Sequence, residues 1–104
     1  MIRHIVLIKF QPDFPEEKIR ELFAELLVIR SQVPGILGIT SGRSESPEKI
    51  ERGYMHGFVV DFEDWGALEN YQNHPDHKAL GAKLVANATG GLDGILVVDI
   101  PVEA

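Results

Sequence analysis

The first and last apolar segments of this chain are apolar at both alternations of a β-strand, so each must be covered on two sides. In the first, Ile2, Val6, Ile8 and Phe10 oppose Ile5 and Leu7; in the last, Ile95 and Val97 alternate with Leu96, Val98 and Ile100. The segments between them set what can do the covering. Ile2 to Phe10 reads as a strand ended by Gln11-Pro12-Asp13, and Pro15 suits the first turn of a helix. Ile19, Leu22, Phe23, Leu26, Leu27 and Ile29 recur at helical spacing until Pro34-Gly35. Ile36 to Ser44 reads as a second strand interrupted by Gly38 and Gly42, followed by a polar loop, Glu45 to Gly53. Tyr54 to Phe62 alternates Tyr54, His56, Phe58, Val60 and Phe62 with Met55, Gly57, Val59 and Asp61, which predicts a third strand. Asp64 is placed to cap a helix over Trp65 to Gln72. Asn73-His74-Pro75 breaks it, and a second segment runs on to about Ala86. Gly90 to Gly94 is a turn before the last strand, Ile95 to Ile100.

The order strand, helix, strand, strand, helix, strand predicts an α+β, ferredoxin-like βαββαβ protomer: a four-stranded antiparallel sheet with helices on one face. Helices on one face leave the other bare, and that face carries Phe58, Val60 and Phe62 or their alternates. A second copy packing sheet against sheet would bury it, so a homodimer enclosing a barrel-like interior is expected. With 104 residues, the whole of 1–104 is expected to form a single domain, whose modest core favours association further.

Charge and composition exclude several function classes. Ten basic against sixteen acidic residues, net −6 and without a Lys/Arg cluster, argue against nucleic acid and anionic membrane surfaces as partners. The chain has no cysteine, which removes disulfides, thiolate catalysis and Cys-type zinc sites. Met1 to Phe10 is broken by Arg3, His4 and Lys9 and lacks a signal-peptide pattern, so a cytoplasmic location is expected. Ser44 and Ser46 have no predictable histidine base, and the glycine tract before the last strand lacks the strand-to-helix setting of a phosphate loop.

Histidine and tyrosine carry the candidate chemistry. Three of the four histidines fall beside tyrosines, in Tyr54-Met55-His56 and in Tyr71-Gln72-Asn73-His74-Pro75-Asp76-His77. A neutral imidazole can accept a proton near pH 7 while a phenol donates to an oxyanion. Each residue also has a structural reading. His4, on a face with Ile2 and Val6, suits a hydrogen-bonded strand histidine; His56 suits an aromatic-rich core; His74 suits a helix cap; Tyr71 suits the helix-to-sheet core; His77 suits a solvent-facing first turn. As metal ligands the histidines are poorly spaced: Pro75 intervenes between His74 and His77, and His4 with His56, even if adjacent on paired strands, would be two ligands only. No metal and no cofactor are expected.

The opening His4-Ile5-Val6-Leu7-Ile8-Lys9-Phe10, Gly53-Tyr54-Met55-His56 at the third strand, and Tyr71 to His77 in the second helical region together resemble the stress-responsive A/B barrel domain (Dabb) family, over essentially the whole chain. That resemblance implies a ferredoxin-like protomer in a homodimeric α+β barrel, often without an assigned activity. One branch, the plant polyketide cyclases related to olivetolic acid cyclase, closes a linear polyketide by aldol condensation. Its His-Pro-x-His motif falls on His74-Pro75-Asp76-His77, which implies His77 as general base with Tyr71 as partner, and implies His4 and His56 as residues lining the ligand pocket. The position of that branch's pocket tyrosine on the first helix is Leu26 here, so identical substrate recognition is not implied. Two functions follow: an enzyme of cyclase, isomerase or lyase type acting on a small apolar carbonyl-containing ligand, or a noncatalytic stress-associated structural dimer. A cavity of about 300 Å³ or more lined by the four groups would favour the first, and a filled core the second.

Overall fold

The structure is a computed structural model and describes residues 1–103. Its elements are β1 (Ile2–Ile8), α1 (Glu16–Arg30), β2 (Ile36–Arg43), β3 (His56–Phe62), α2 (Trp65–Asn73), α3 (Pro75–Asn87), a 3-10 turn (Gly91–Gly94) and β4 (Ile95–Pro101). The four strands form one sheet in the order β2-β3-β1-β4, antiparallel throughout, with the helices on one side. This is the expected ferredoxin-like arrangement.

Local chemistry explains the element ends. Glu16 and Glu17 complement the positive end of α1, with Pro15 immediately before it, and Gly35 turns the chain into β2 at φ +92°, a conformation that favours glycine. The carboxylate of Asp64 accepts the Ala67 N–H at 2.8 Å and caps α2 as expected. The predicted break falls at His74, which ends α2 through its own N–H to the Tyr71 carbonyl and begins α3 by accepting the Asp76 N–H on Nδ1 at 3.1 Å. Its structural reading, a cap, describes what it does here.

β1 alternates buried and open residues along its length, with Ile2, His4, Val6 and Ile8 toward the helices. Phe58, Val60 and Phe62 of β3 point the same way, so the bare face carries their alternates. The core between sheet and helices joins these residues to Ile19, Leu22, Phe23, Leu26 and Ile29 of α1 and to Leu68, Tyr71, Leu80 and Leu84 of α2 and α3. On the bare face Leu7, Leu96, Val98 and Ile100 are exposed by 38 to 50%. Two strand boundaries differ from expectation by two residues. β3 starts at His56, because Tyr54 and Met55 are spent closing the preceding loop through Tyr54 N–H to Glu51 O and Met55 N–H to Gly53 O. β1 stops at Ile8, after which Lys9 bonds to Gly94 and Phe10 bridges Ala88 rather than a neighbouring strand.

Candidate functional site

The break between α2 and α3 positions the central pair. Tyr71 ends the buried face of α2, and the chain reverses through His74-Pro75 so that His77, in the first turn of α3, returns beside it with ring centroids 4.2 Å apart. His4 on β1 approaches the same phenol ring edge-on at 5.7 Å, and Phe62 closes the side at 5.1 Å from Tyr71. Three of the four candidate residues, His4, Tyr71 and His77, therefore meet at one place between the sheet and the α2–α3 corner.

Tyr71 is fully buried, and its hydroxyl has no hydrogen-bond partner among the described residues. Desolvation raises its pKa above the ordinary phenol value, which keeps it a protonated donor across the physiological range. His77 is half-buried and lies within 3.3 Å of the Gln72 carbonyl through Nδ1, one of the carbonyls left over at the end of α2. Donation from Nδ1–H to that carbonyl assigns the neutral tautomer with a free Nε2. Desolvation, helped by the neighbouring imidazoles of His4 and His74 and opposed by the Gln72 bond, lowers the His77 pKa. The ring is therefore neutral, and a base, at pH 7.

His4 is held by a residue that sequence reasoning missed. Its Nδ1 is 2.6 Å from Oδ1 of Asp99, directly across the β1–β4 ladder, with the imidazole side chain 5% and the carboxylate 24% exposed. A proton on Nδ1 toward the carboxylate fixes the ring and leaves Nε2 unprotonated in the neutral form. The available signal was Asp99 itself, a lone acid on the helix-facing alternation of an apolar strand.

His56 lies elsewhere. It pairs with Ile8, whereas His4 pairs with Val60, so the two imidazoles sit four residues apart along β1 and β3, on the order of 13 Å, and are not adjacent although their strands pair. His56 is buried against the Phe10 ring and its Nε2 is 2.8 Å from Oε1 of Glu16. Together with Glu16, Arg20, Phe23 and Arg43 it lines an open groove of about 460 Å³ between α1 and β2. A second depression, about 580 Å³, is lined by Gln72 and Asp99, the hydrogen-bond partners of His77 and His4, with Trp65, Leu68, Glu69 and Asn73. Neither space is lined by His4, Tyr71 or His77 themselves. Among the described residues no cluster of three or more His, Asp or Glu side chains is arranged to hold a metal ion, and no helix is long and apolar enough to cross a membrane.

Comparison with known proteins places this geometry in a family. The model of the stress-responsive A/B barrel domain matches residues 2–102. A stress-response A/B barrel domain-containing protein of Arabidopsis thaliana, At5g22580, is 28% identical over 98% of this chain and 86% of its own. Among solved structures, a dimeric ferredoxin-like protein of unknown function from Jannaschia sp. CCS1 is 34% identical with a TM-score of 0.91, covering 97% of this chain and 98% of that one. The hydroxynitrile lyase of Passiflora edulis, 16% identical, shares the fold with a TM-score of 0.84 over 98% of this chain and 93% of its own. The chain belongs to the stress-responsive A/B barrel domain (Dabb) family.

Proposed function

We propose that the protein is a homodimer in which the corner formed by His4, Tyr71 and His77 binds a small carbonyl compound and moves protons next to the carbonyl, as a cyclase, isomerase or lyase does. The observation that carries this reading is the Tyr71 hydroxyl: a buried donor without a partner costs about 1–3 kcal/mol, and such a cost is commonly retained where a ligand uses the donor. A carbonyl oxygen supplies the missing acceptor. Neutral His77 then takes the α-proton on Nε2, the C–H electron pair moves into the enolate, and the Tyr71 O–H bonds to the oxygen as its charge develops. The proton returns from His77 to carbon or to a leaving oxygen. Asp99 keeps the His4 ring fixed beside this site. The approach is the depression at Gln72 and Asp99, which borders the partners of both imidazoles. Half-exposed Leu96, Val98 and Ile100 support the dimer, as do the dimeric solved relatives.

Two observations favour the noncatalytic reading: the His4, Tyr71 and Phe62 rings are in mutual contact with His77 against Tyr71, as in a filled core, and neither the groove at His56 nor the depression at Gln72 and Asp99 is lined by His4, Tyr71 or His77. Deuterium exchange α to the carbonyl of cyclohexanone in D₂O separates the two readings. Proton transfer predicts exchange above the buffer rate, reduced at least about a hundredfold in Tyr71→Phe and in His77→Gln. Exchange at the buffer rate with wild-type protein, together with unmoved Tyr71 and His77 resonances, would leave the structural dimer as the function.

A further inference from the structure

Apart from the Tyr71 corner, α1 and β2 build a second site between them. The two elements run antiparallel: Glu16 at the start of α1 lies near Arg43 at the end of β2, and Arg30 at the end of α1 donates to the Leu37 carbonyl near the start of β2. Between them lies the open groove of about 460 Å³, a size usual for small-molecule sites. From α1 it takes Glu16, Arg20, Ala24 and Leu27, whose spacing puts them on one stripe of the helix. From β2 it takes Ser41 and Arg43, which pair with the buried Phe58 and His56 and share their helix-facing side. A second copy packed on the bare face of the sheet leaves this side open.

The groove is graded along its length. One end carries Arg20, Arg43, Glu16 and His56; the other, about 16 Å along the helix, is Leu27, 53% exposed, with Ala24 and the buried Phe23 between them. Glu16 is engaged by His56, whose Nε2 is 2.8 Å from Oε1, while the Arg43 guanidinium stands 3.8 Å off, beyond hydrogen-bond reach. The other carboxylate that feels Arg43, that of Glu51, already accepts the Ser44 hydroxyl. Among the described residues Arg20 has no ion pair, and neither guanidinium of the groove donates a side-chain hydrogen bond. Two planar donor forks with unused hydrogens suit an oxyanion. Two guanidiniums against one carboxylate leave a single net positive charge on a chain of net −6, which matches a monocarboxylate and disfavours a phosphate dianion. The apolar run toward Leu27 calls for a hydrocarbon tail on that carboxylate. We propose that the α1–β2 groove binds a small monocarboxylate with an apolar tail, its head at Arg20 and Arg43 and its tail along Phe23, Ala24 and Leu27. This site stands whether or not the Tyr71 corner moves protons.

Amide NMR of the wild-type protein with octanoate, octylammonium and acetate tests the assignment. Octanoate should saturably shift the amides of Arg20 to Leu27 and of Ser41 to Arg43. Octylammonium, which lacks the anion, and acetate, which lacks the tail, should not do so at the same concentration. Both arginines are exposed, so the double variant Arg20→Gln, Arg43→Gln should keep the wild-type circular dichroism while binding octanoate at least about tenfold more weakly, the loss of a charge-assisted bond. Equal binding of octylammonium overturns the proposal, because an apolar cleft alone would then account for the site. Octanoate shifts confined to other residues overturn it too, as does an unchanged affinity in the double variant. So does the absence of any saturable shift up to the solubility limit of octanoate.

Discussion

Replacing Tyr71 by phenylalanine should stabilise the unliganded protein, the reverse of what this substitution does to an ordinary buried tyrosine. A hydroxyl with a partner contributes about 0.5–1.5 kcal/mol, so its removal costs that much, whereas a buried hydroxyl without one carries a desolvation penalty of about 1–3 kcal/mol. Tyr71 is fully buried with no partner for its oxygen among the described residues, and phenylalanine keeps the ring that touches His4, Phe62 and His77. The expected change is a gain of about 1 kcal/mol, which raises the Tm of a domain near this size by about 4–8 °C. Tyr54 is the control: its hydroxyl donates to the Asp93 carbonyl at 3.1 Å in an exposed position, and Tyr54→Phe should leave stability unchanged or slightly lower. Calorimetry at one fixed protomer concentration gives both numbers, since association alone shifts Tm. A loss of 1 kcal/mol or more in Tyr71→Phe would refute the reasoning, because it would mean that the hydroxyl is satisfied in the free protein and is not held ready for a ligand.

Three further outcomes follow from the same geometry. Asp99→Ala strands the His4 Nδ1 proton in a buried position, which should cost about 1–3 kcal/mol in urea unfolding and alter the His4 tautomer signals in nitrogen-detected NMR. Stability should fall at both pH extremes. His77, with its pKa lowered, binds fewer protons folded than unfolded, so its contribution is full above the ordinary histidine value of about 6.5 and is lost as pH drops through the folded value; Tyr71, with its pKa raised, contributes below about pH 10 and loses that contribution above it. His77→Gln should flatten the acid limb of a urea-midpoint profile, and Tyr71→Phe the alkaline limb. Gly57→Ala would put a methyl 2.7 Å from the Val6 carbonyl oxygen and 2.8 Å from Leu7 Cδ2, costing about 1–3 kcal/mol, while Gly42→Ala should leave protomer stability nearly unchanged by the same melt.

Local signals made much of this architecture legible. The alternation in Ile2 to Ile8, the helical spacing from Ile19 to Ile29, and Pro75 after His74 each depend on neighbours in the chain, and the structure follows them to within a residue or two. The choice of sheet face for Phe58, Val60 and Phe62 was not legible, because alternation assigns residues to two sets without saying which set meets the helices. Register escaped for the same reason. His4 meets Asp99 across 95 positions and His56 meets Glu16 across 40, and nothing local couples either pair. His4 and His56, although on paired strands and one face, are separated by the four-residue offset between their partners. The motif from Tyr71 to His77 did bring its two ends together, since the break that ends α2 is written in the intervening residues themselves.

The measurement that bears most directly on the proton-transfer account is an NMR pH titration of the histidine ring resonances, in wild-type protein and in Tyr71→Phe. The account predicts that His77 titrates below the free-histidine range with its proton on Nδ1, and that removing the Tyr71 hydroxyl shifts that titration. A His77 with an ordinary midpoint, indifferent to Tyr71, would contradict it and leave a packed, noncatalytic dimer.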